Sequence, residues 1–441
     1  MGGWRHPWLV KRAREDCTAG ATASLPANRT AELWLVHGKW YDLSGWAPSH
    51  PGGSWWLEQT RGMDITDLVE THHFDTGAVD AVLARHCVGE APAAYRPFFD
   101  FEEGGLFRTL KRRVTAALSA VGGGSGGKGS TVPLRSARAA TAGFLWQCRL
   151  VLLAHVALFA WTARSGSLLG AAFTGVTISS LHGIGHNFIH QADAANPWRY
   201  AAVAGGWKVH LQRISHAISH HPRPNTFHDL EILGLEPFLF NMVCSPRNHP
   251  AVALYGPLLC ASAHLLDVLL LWWRMLRGAT PVRLECFSNA LQLLLLCCCG
   301  ASHGAARGAL CFAAMFLVFG AIDSFAGFPL HHTERAWTEG NTHHARKRDL
   351  AEHIVASTVD YDVGSMGSWQ SLLCFELMPN HCLHHCFPTL DCSRFDTVRP
   401  VFEATLREFG VRQQLLPQPA VYFGMWPAWL RGISSHRSNR D

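Results

Sequence analysis

Five apolar runs, separated by polar stretches rich in histidine, organise the chain after about residue 140, whereas its first hundred residues mix polar and apolar positions over short distances. The runs are Gly143–Ala163, Ser165–Leu181, Ala251–Leu276, Phe287–Gly300 and Gly308–Phe328. A helix needs about 20 residues to cross the hydrocarbon core of a bilayer. The first two runs therefore predict a hairpin of two spans, and the later three leave the number of crossings open. The early segment, Trp34 to Pro97, has the mixed pattern and scattered aromatics of a small soluble domain. A basic stretch (Lys111, Arg112, Arg113) follows it, then the Gly/Ser run that begins at Val121. That composition behaves as flexible coil, so residues 121–133 are expected to be a linker.

Composition sharpens this picture. The 441 residues are 48% hydrophobic and 16% charged, against roughly 25% charged in soluble domains, which points to an integral membrane protein. A net charge of +5, with no basic stripe interleaved with aromatics, argues against a nucleic-acid partner. The fourteen cysteines are dispersed and several sit in apolar runs, as at Cys297-Cys298-Cys299, without the spacing of a disulfide scaffold; they are read as reduced. Arg5, Lys11, Arg12 and Arg14 are not followed by an adequate apolar core, so no signal peptide is expected and the N-terminus is placed in the cytosol. Asn28-Arg29-Thr30 matches a glycosylation acceptor that would go unused on that side.

Histidine supplies the candidate chemistry. Of 27 histidines, eight lie between His182 and His228 and eight between His331 and His385. His182, His186 and His190 follow at i, i+4 and i+8, one face of a helix continuing out of the second apolar run. His216, His220 and His221, and likewise His381, His384 and His385, place one histidine a turn before an adjacent pair. Adjacent helical residues diverge by about 100°, so such a pair can serve two metals. A structural zinc site needs only four ligands and usually includes thiolates, whereas imidazole also suits iron. Nine histidines in three clusters fit two metal ions. For all three clusters to share one membrane face, an even number of crossings must separate them. One of the later runs should then be interfacial or re-entrant; Phe287–Gly300 is the shortest, and Ala251–Leu276 carries His264 and Asp267. Arg135, Arg138, Arg346, Lys347 and Arg348 flank the same face, as a cytosolic side requires.

Trp40-Tyr41-Asp42-Leu43-Ser44, His50-Pro51-Gly52-Gly53, the stretch Gly62 to Asp67 and His72-His73 together resemble the cytochrome b5 heme-binding domain. The resemblance implies a heme b held between two imidazoles, His50 and His73, with His72 as the alternative second ligand. With both axial positions filled, such a heme passes electrons and does not readily bind oxygen.

The histidine clusters, the run His220-His221-Pro-Arg-Pro-Asn225-Thr-Phe-His228-Asp229 and the ending His384-His385-Cys-Phe387-Pro388 resemble the membrane fatty acid desaturases, specifically their cytochrome b5-fused branch. The expected fold is a small α+β cytochrome b5-like heme domain (30–98) followed by an all-α multi-span membrane domain of desaturase type (140–410). The resemblance implies two non-heme irons held by His182, His186, His190, His216, His220, His221, His381, His384 and His385. It also suggests an additional ligand from His331 or His332, less so from His343-His344, and His228 as a further candidate. Many front-end members carry glutamine where this chain has His381, which departs from that regiochemistry. Asn-Phe-Ile-His in the first box is closer to the b5-related members and leaves His182 a candidate rather than an assigned ligand. Asp229, Glu231, Asp360 and Asp362 are candidates to orient ligating imidazoles, whereas His155, His264 and His303 are assigned no role.

The function so implied is O2-dependent desaturation of an acyl lipid or acyl-CoA in the endoplasmic reticulum membrane, with heme domain and histidine boxes cytosolic. Electrons are expected from an NAD(P)H-dependent cytochrome b5 reductase. Two alternatives stand beside it: a fatty acid or sphingolipid hydroxylase on the same scaffold, and a non-catalytic heme-binding electron carrier.

Overall fold

The computed structural model describes residues 31–121, 134–192, 212–231, 238–239, 249–278, 290–333, 335–339, 347–362, 380–417, 424 and 429. The linker 121–133 beyond its first residue, Asn28, His343 and His344 lie outside them.

The chain opens with a hairpin of β1 (Trp34–Val36) and β2 (Lys39–Tyr41), to which β3 (Cys87–Glu90) adds in the order β1-β2-β3, all antiparallel. The two-residue turn is His37-Gly38, both at positive φ (47° and 73°), the mirror-image turn whose twist matches paired strands. Three helices fill the connection from β2 to β3: α1 (Ser54–Thr60), α2 (Thr66–His72) and α3 (Thr76–His86). Trp34, Val36, Leu43, Leu57, Met63 and Ile65 form their shared core. This is the small α+β domain expected from sequence.

The amphipathic helix α4 (Leu106–Val121) follows, then the single turn α5 (Leu134–Ala137), α6 (Ala142–Ser165) and α7 (Leu168–Ile189). A π-helix covers Arg213–His220. Beyond it come α8 (Val252–Leu276), α9 (Ala290–His303) and α10 (Ala305–Gly327). Among the described residues, four helical segments are long and apolar enough to cross a membrane: Ala142–Ser165, Leu168–Ile189, Val252–Leu276 and Ala305–Leu330. At about 1.5 Å rise per residue, the 14 residues of α9 reach only about 21 Å, short of the roughly 30 Å hydrocarbon core. Among the described residues, this part of the Phe287–Gly300 run is shorter than a span.

The spans pack at glycines. A Cβ on Gly175 would lie 2.4 Å from the Met315 carbonyl oxygen, and one on Gly320 would lie 2.1 Å from that of Ala261. These missing side chains bring α7 against α10 and α10 against α8, the small-residue packing typical within bilayers.

At one end of the bundle, α11 (Leu350–Ser357), α12 (His381–Cys386) and α13 (Phe395–Glu408) form a cap with α4. Their core includes Phe99, Phe107, Leu110, Ile354, Leu383, Phe387, Phe395 and Phe402. A two-stranded parallel sheet, β4 (Asp360–Tyr361) with β5 (Leu415–Leu416), closes the cap.

The heme-type domain is seated on this cap. Phe74 stacks on Phe387 at 5.5 Å, and Ile218 of the π-helix is buried within the heme-type domain's own core. Arg223 Nε donates to Asp67 at 2.8 Å. Lys111 Nζ donates to Glu70 at 3.0 Å, and Arg108 pairs with the other Glu70 oxygen at 2.7 Å, as does His37. Burial pushes the Glu70 carboxyl up, but His37, Lys111 and Arg108 outweigh it and hold the group down at about 2.

Candidate metal centre

Two sets of candidate metal ligands arise from separate parts of the fold. In the small domain, His50 follows a short 3-10 turn (Ala47–Ser49) and His73 caps α2. Each ring has Nδ1 tied to a backbone carbonyl, His50 to Gly53 at 2.9 Å and His73 to Val69 at 3.0 Å. That fixes the rings, the usual role of a ligand's outer hydrogen bond. The ring centroids stand 6.1 Å apart, close to two metal–nitrogen bonds of about 2 Å each plus the ring radii. A Cβ on Gly52 would lie 2.8 Å from His50 Cε1, so the glycine is needed where it stands. Burial lowers the His73 imidazole to about 4, and His50 and Lys111 add to the effect. A neutral imidazole has the lone pair that ligation requires. These residues fit a bis-histidine heme.

His72 is placed differently. Its Nδ1 lies 3.1 Å from the Leu68 carbonyl and its ring packs on Trp56 at 5.7 Å, toward the cap. The pair His50 and His73 is the one whose rings face each other.

The second set lies where α7, the π-helix, the segment after α10 and α12 converge. Five histidines, His186, His190, His216, His221 and His384, bring ligand nitrogens within 4.8 Å of one another. A second group is His220, His331 and His385, and a third, overlapping both surroundings, is His216, His220 and Glu231. His381 joins the second group's edge, its Nε2 2.7 Å from that of His331 and 3.2 Å from that of His385. The adjacent pairs separate: His221 and His384 face one group, His220 and His385 the other.

The arrangement is hard to explain without a cation. Nε2 atoms confront one another, His221 with His216 at 2.8 Å and His384 with His186 at 3.2 Å. Both nitrogens of His190 are buried without a hydrogen-bond partner among the described residues. Such orphaned buried atoms are costly, and converging lone pairs are what a metal ion satisfies. Burial, with the neighbouring histidines adding to it, holds His190, His221, His331, His381, His384 and His385 well below the ordinary imidazole value. That direction favours the neutral form that ligation requires. His220 differs. Burial lowers it too, but Asp229 and Glu231 outweigh burial and raise it.

Outer partners aim the rings. Asp229 accepts from His220 Nδ1 at 2.8 Å and Glu231 from His216 Nδ1 at 2.9 Å. The Nδ1 atoms of His331 and His385 contact the carbonyls of Ser357 and His221, at 3.2 and 3.3 Å. The chemistry of this donor set, imidazoles with supporting carboxylates, fits two non-heme iron ions.

Other candidates fall elsewhere. His182 Nδ1 pairs with Asp323 at 2.7 Å, and the other oxygen of Asp323 pairs with His264. The first cluster thus contributes two histidines to the groups rather than three. His332 is buried against Phe328 and His228 lies edge-on to Phe98; neither enters a group. Asp360 accepts from the Cys382 backbone at the start of α12, serving the helix terminus. Asp362 donates its backbone N–H to the Leu416 carbonyl.

Three contributors carry no isolated signal in sequence. Asn225, at positive φ (59°), donates through Nδ2 toward the carbonyls of His331, Trp337 and Ser357 at 2.8, 2.9 and 3.2 Å. Asn187 donates to Asp391 at 2.8 Å and accepts from the Cys392 backbone, locking α7 to the segment after α12. His353 contacts the Pro224 carbonyl at 3.0 Å. Asn225 lies within the run from His220 to Asp229, and the tolerance of asparagine for the left-handed region is the clue the sequence carries.

A heme-type domain docked on a bundle of candidate membrane spans that carries buried groups of histidines points to a membrane redox protein. Comparison with known proteins makes that class specific. Residues 26–92 match the cytochrome b5-like heme/steroid binding domain, and residues 158–417, more than half of the chain, match the fatty acid desaturase model. The chain belongs to the fatty acid desaturase family, with a cytochrome b5-like domain fused at its N-terminal side. It is 27% identical over 414 residues to the cytochrome b5-related protein of Drosophila melanogaster, covering 92% of this chain and 86% of that one. It is also 24% identical over 428 residues to fatty acid desaturase 3 of Bos taurus, covering 88% of each. Delta(5) fatty acid desaturase A of Dictyostelium discoideum is 33% identical over 88 residues, 20% of this chain and 19% of that protein.

Proposed function

We propose that this protein desaturates an acyl chain at a membrane diiron centre, with electrons supplied through its fused heme domain. The observation that carries the reading is the pair of histidine groups, buried and mutually facing, at the end of a four-span bundle. His186, His190, His216, His221 and His384 would hold one iron; His220, His331, His385 and His381 would hold the other. His50 and His73 would hold the heme. Bound there, the irons supply the activation of O2 that unactivated C–H bonds require.

The chain's own residues do the rest. Glu231 and Asp229 keep His216 and His220 aimed inward. The Asn187–Asp391 and Asn225 networks prevent the helices that carry the ligands from drifting. Phe395, beside His384 at 6.3 Å, and the buried Phe387 exclude water from that side.

The substrate is an acyl lipid or acyl-CoA, the electron source an NAD(P)H-dependent cytochrome b5 reductase, and the setting the endoplasmic reticulum with both metal positions on the cytosolic face. The test is metal analysis of purified protein together with mass spectrometry of lipids from cells expressing it. Two non-heme irons per heme and products lighter by two mass units are expected. Heme iron alone would overturn the reading, and products heavier by sixteen would reassign the chain as a hydroxylase.

A further inference from the structure

His72 stands between the two metal positions and has no role in either. It ends α2, directly before the heme ligand His73. Its Nδ1 is engaged by Leu68 and Thr71, at 3.1 and 3.0 Å, while its Nε2 is buried with no hydrogen-bond partner among the described residues. A buried orphan nitrogen of this kind calls for a reason.

Its surroundings lead to the histidine groups in two directions. On the side-chain side the His72 ring packs on Trp56 at 5.7 Å, and the Arg213 guanidinium lies 5.1 Å from the Trp56 ring centroid. Arg213 Nε then donates to the Ile189 carbonyl at 3.0 Å, the residue before His190. On the backbone side the Thr389 hydroxyl donates to the His72 carbonyl at 3.2 Å, four residues beyond His385.

We propose that His72 is the positioning residue that couples the heme pocket electronically to the histidine groups. This rests on the reading under Proposed function. Each transfer would oxidise a heme held by His50 and His73 by one electron and reduce irons held by the histidine groups by one. Two transfers, with O2 and two protons, balance removal of two hydrogens from the acyl chain and release of two waters. A continuous packed and hydrogen-bonded contact shortens the gap an electron crosses, and the docking described above keeps that contact made.

The test compares the full-length, metal-loaded wild type with His72→Ala, Thr389→Val and the double variant. Alanine takes the ring off Trp56, and valine removes the hydroxyl while keeping the shape of threonine. Heme absorbance, heme midpoint potential and the rate of heme reduction by reductase should match wild type. Hydrogen exchange over residues 66–74 should also match, because docking is retained. Reoxidation of the reduced heme by O2 with acyl-CoA present should slow about tenfold or more in the double variant, the scale on which outer-shell substitutions act. Wild-type reoxidation rates in both single and double variants would overturn the proposal. Loss of heme absorbance in His72→Ala would overturn it too, making His72 the axial ligand. Slow reoxidation accompanied by faster exchange over 66–74 would also overturn it, assigning the effect to undocking. Failure of the underlying reading looks different: wild-type heme would then show no substrate-dependent reoxidation at all.

Discussion

At the scale of single residues, the two metal positions can be removed independently because their ligands share no side chain. His50→Ala takes away a ring held by Gly53 and faced by His73. Heme absorbance and turnover should vanish while non-heme iron stays, as absorbance spectra and iron analysis would report. His384→Ala should do the reverse, sparing the heme spectrum while non-heme iron and product are lost. Asn225 offers a subtler test, since its amide serves three buried carbonyls. Asn225→Ala leaves acceptors unsatisfied at about 1–3 kcal/mol each and adds a left-handed backbone without the amide. A lowered melting temperature, with weakened iron retention through His331, is expected; Asn225→Gly, which relieves the backbone alone, should recover only part of it.

At the scale of elements, the π-helix Arg213–His220 carries ligands and docking contacts together. His216 and His220 look into the metal groups while Ile218 enters the core of the heme domain. Adjacent positions diverging around a helix were legible in the sequence, and so was the separation of His220 from His221. The outcome for His182 was less so, for a physical reason. Eight residues advance a helix by about 800°, which leaves His182 roughly 80° from His190, and two turns further down the helix it meets Asp323 on α10 instead. That partner lies 141 residues away, beyond the reach of local periodicity. His331 illustrates the converse: its position just after a span was visible, but its meeting with His220 and His381 depends on how the spans pack. Packing hinges on the glycines. Gly320→Ala would push a Cβ into the Ala261 carbonyl, and forced overpacking costs about 1–3 kcal/mol or more. The spread of α8 from α10 should appear as a lower melting temperature in detergent, with heme absorbance unchanged because the heme domain is remote from this contact.

At the scale of the whole molecule, docking of the heme domain was the least legible feature, since a Gly/Ser run suggests a loosely tethered donor. The structure instead seats the donor through Glu70, Asp67, Phe74 and Ile218. Glu70 makes this seat pH-sensitive in a defined direction. Its folded pKa of about 2 lies below the ordinary 4.5, so its contribution is fully present above 4.5 and is lost as pH falls toward 2. Hydrogen exchange over residues 66–72 and 106–113 should therefore rise as pH drops through that window. Glu70→Gln should raise it already at neutral pH, because Lys111 and Arg108 lose their counter-charge in a buried place. A permanently seated donor also changes how the molecule meets outside partners. A tethered domain competes for its own docking face at millimolar effective concentration, and the His50→Ala domain, lacking heme but folded around the core of Trp34 and Ile65, would still cover that face. Free reduced cytochrome b5 added to His50→Ala at micromolar concentration should then restore little product. Product formation by the added protein at the wild-type rate would show that the seat opens readily, and adding Glu70→Gln to His50→Ala should move the result in that direction by loosening the seat.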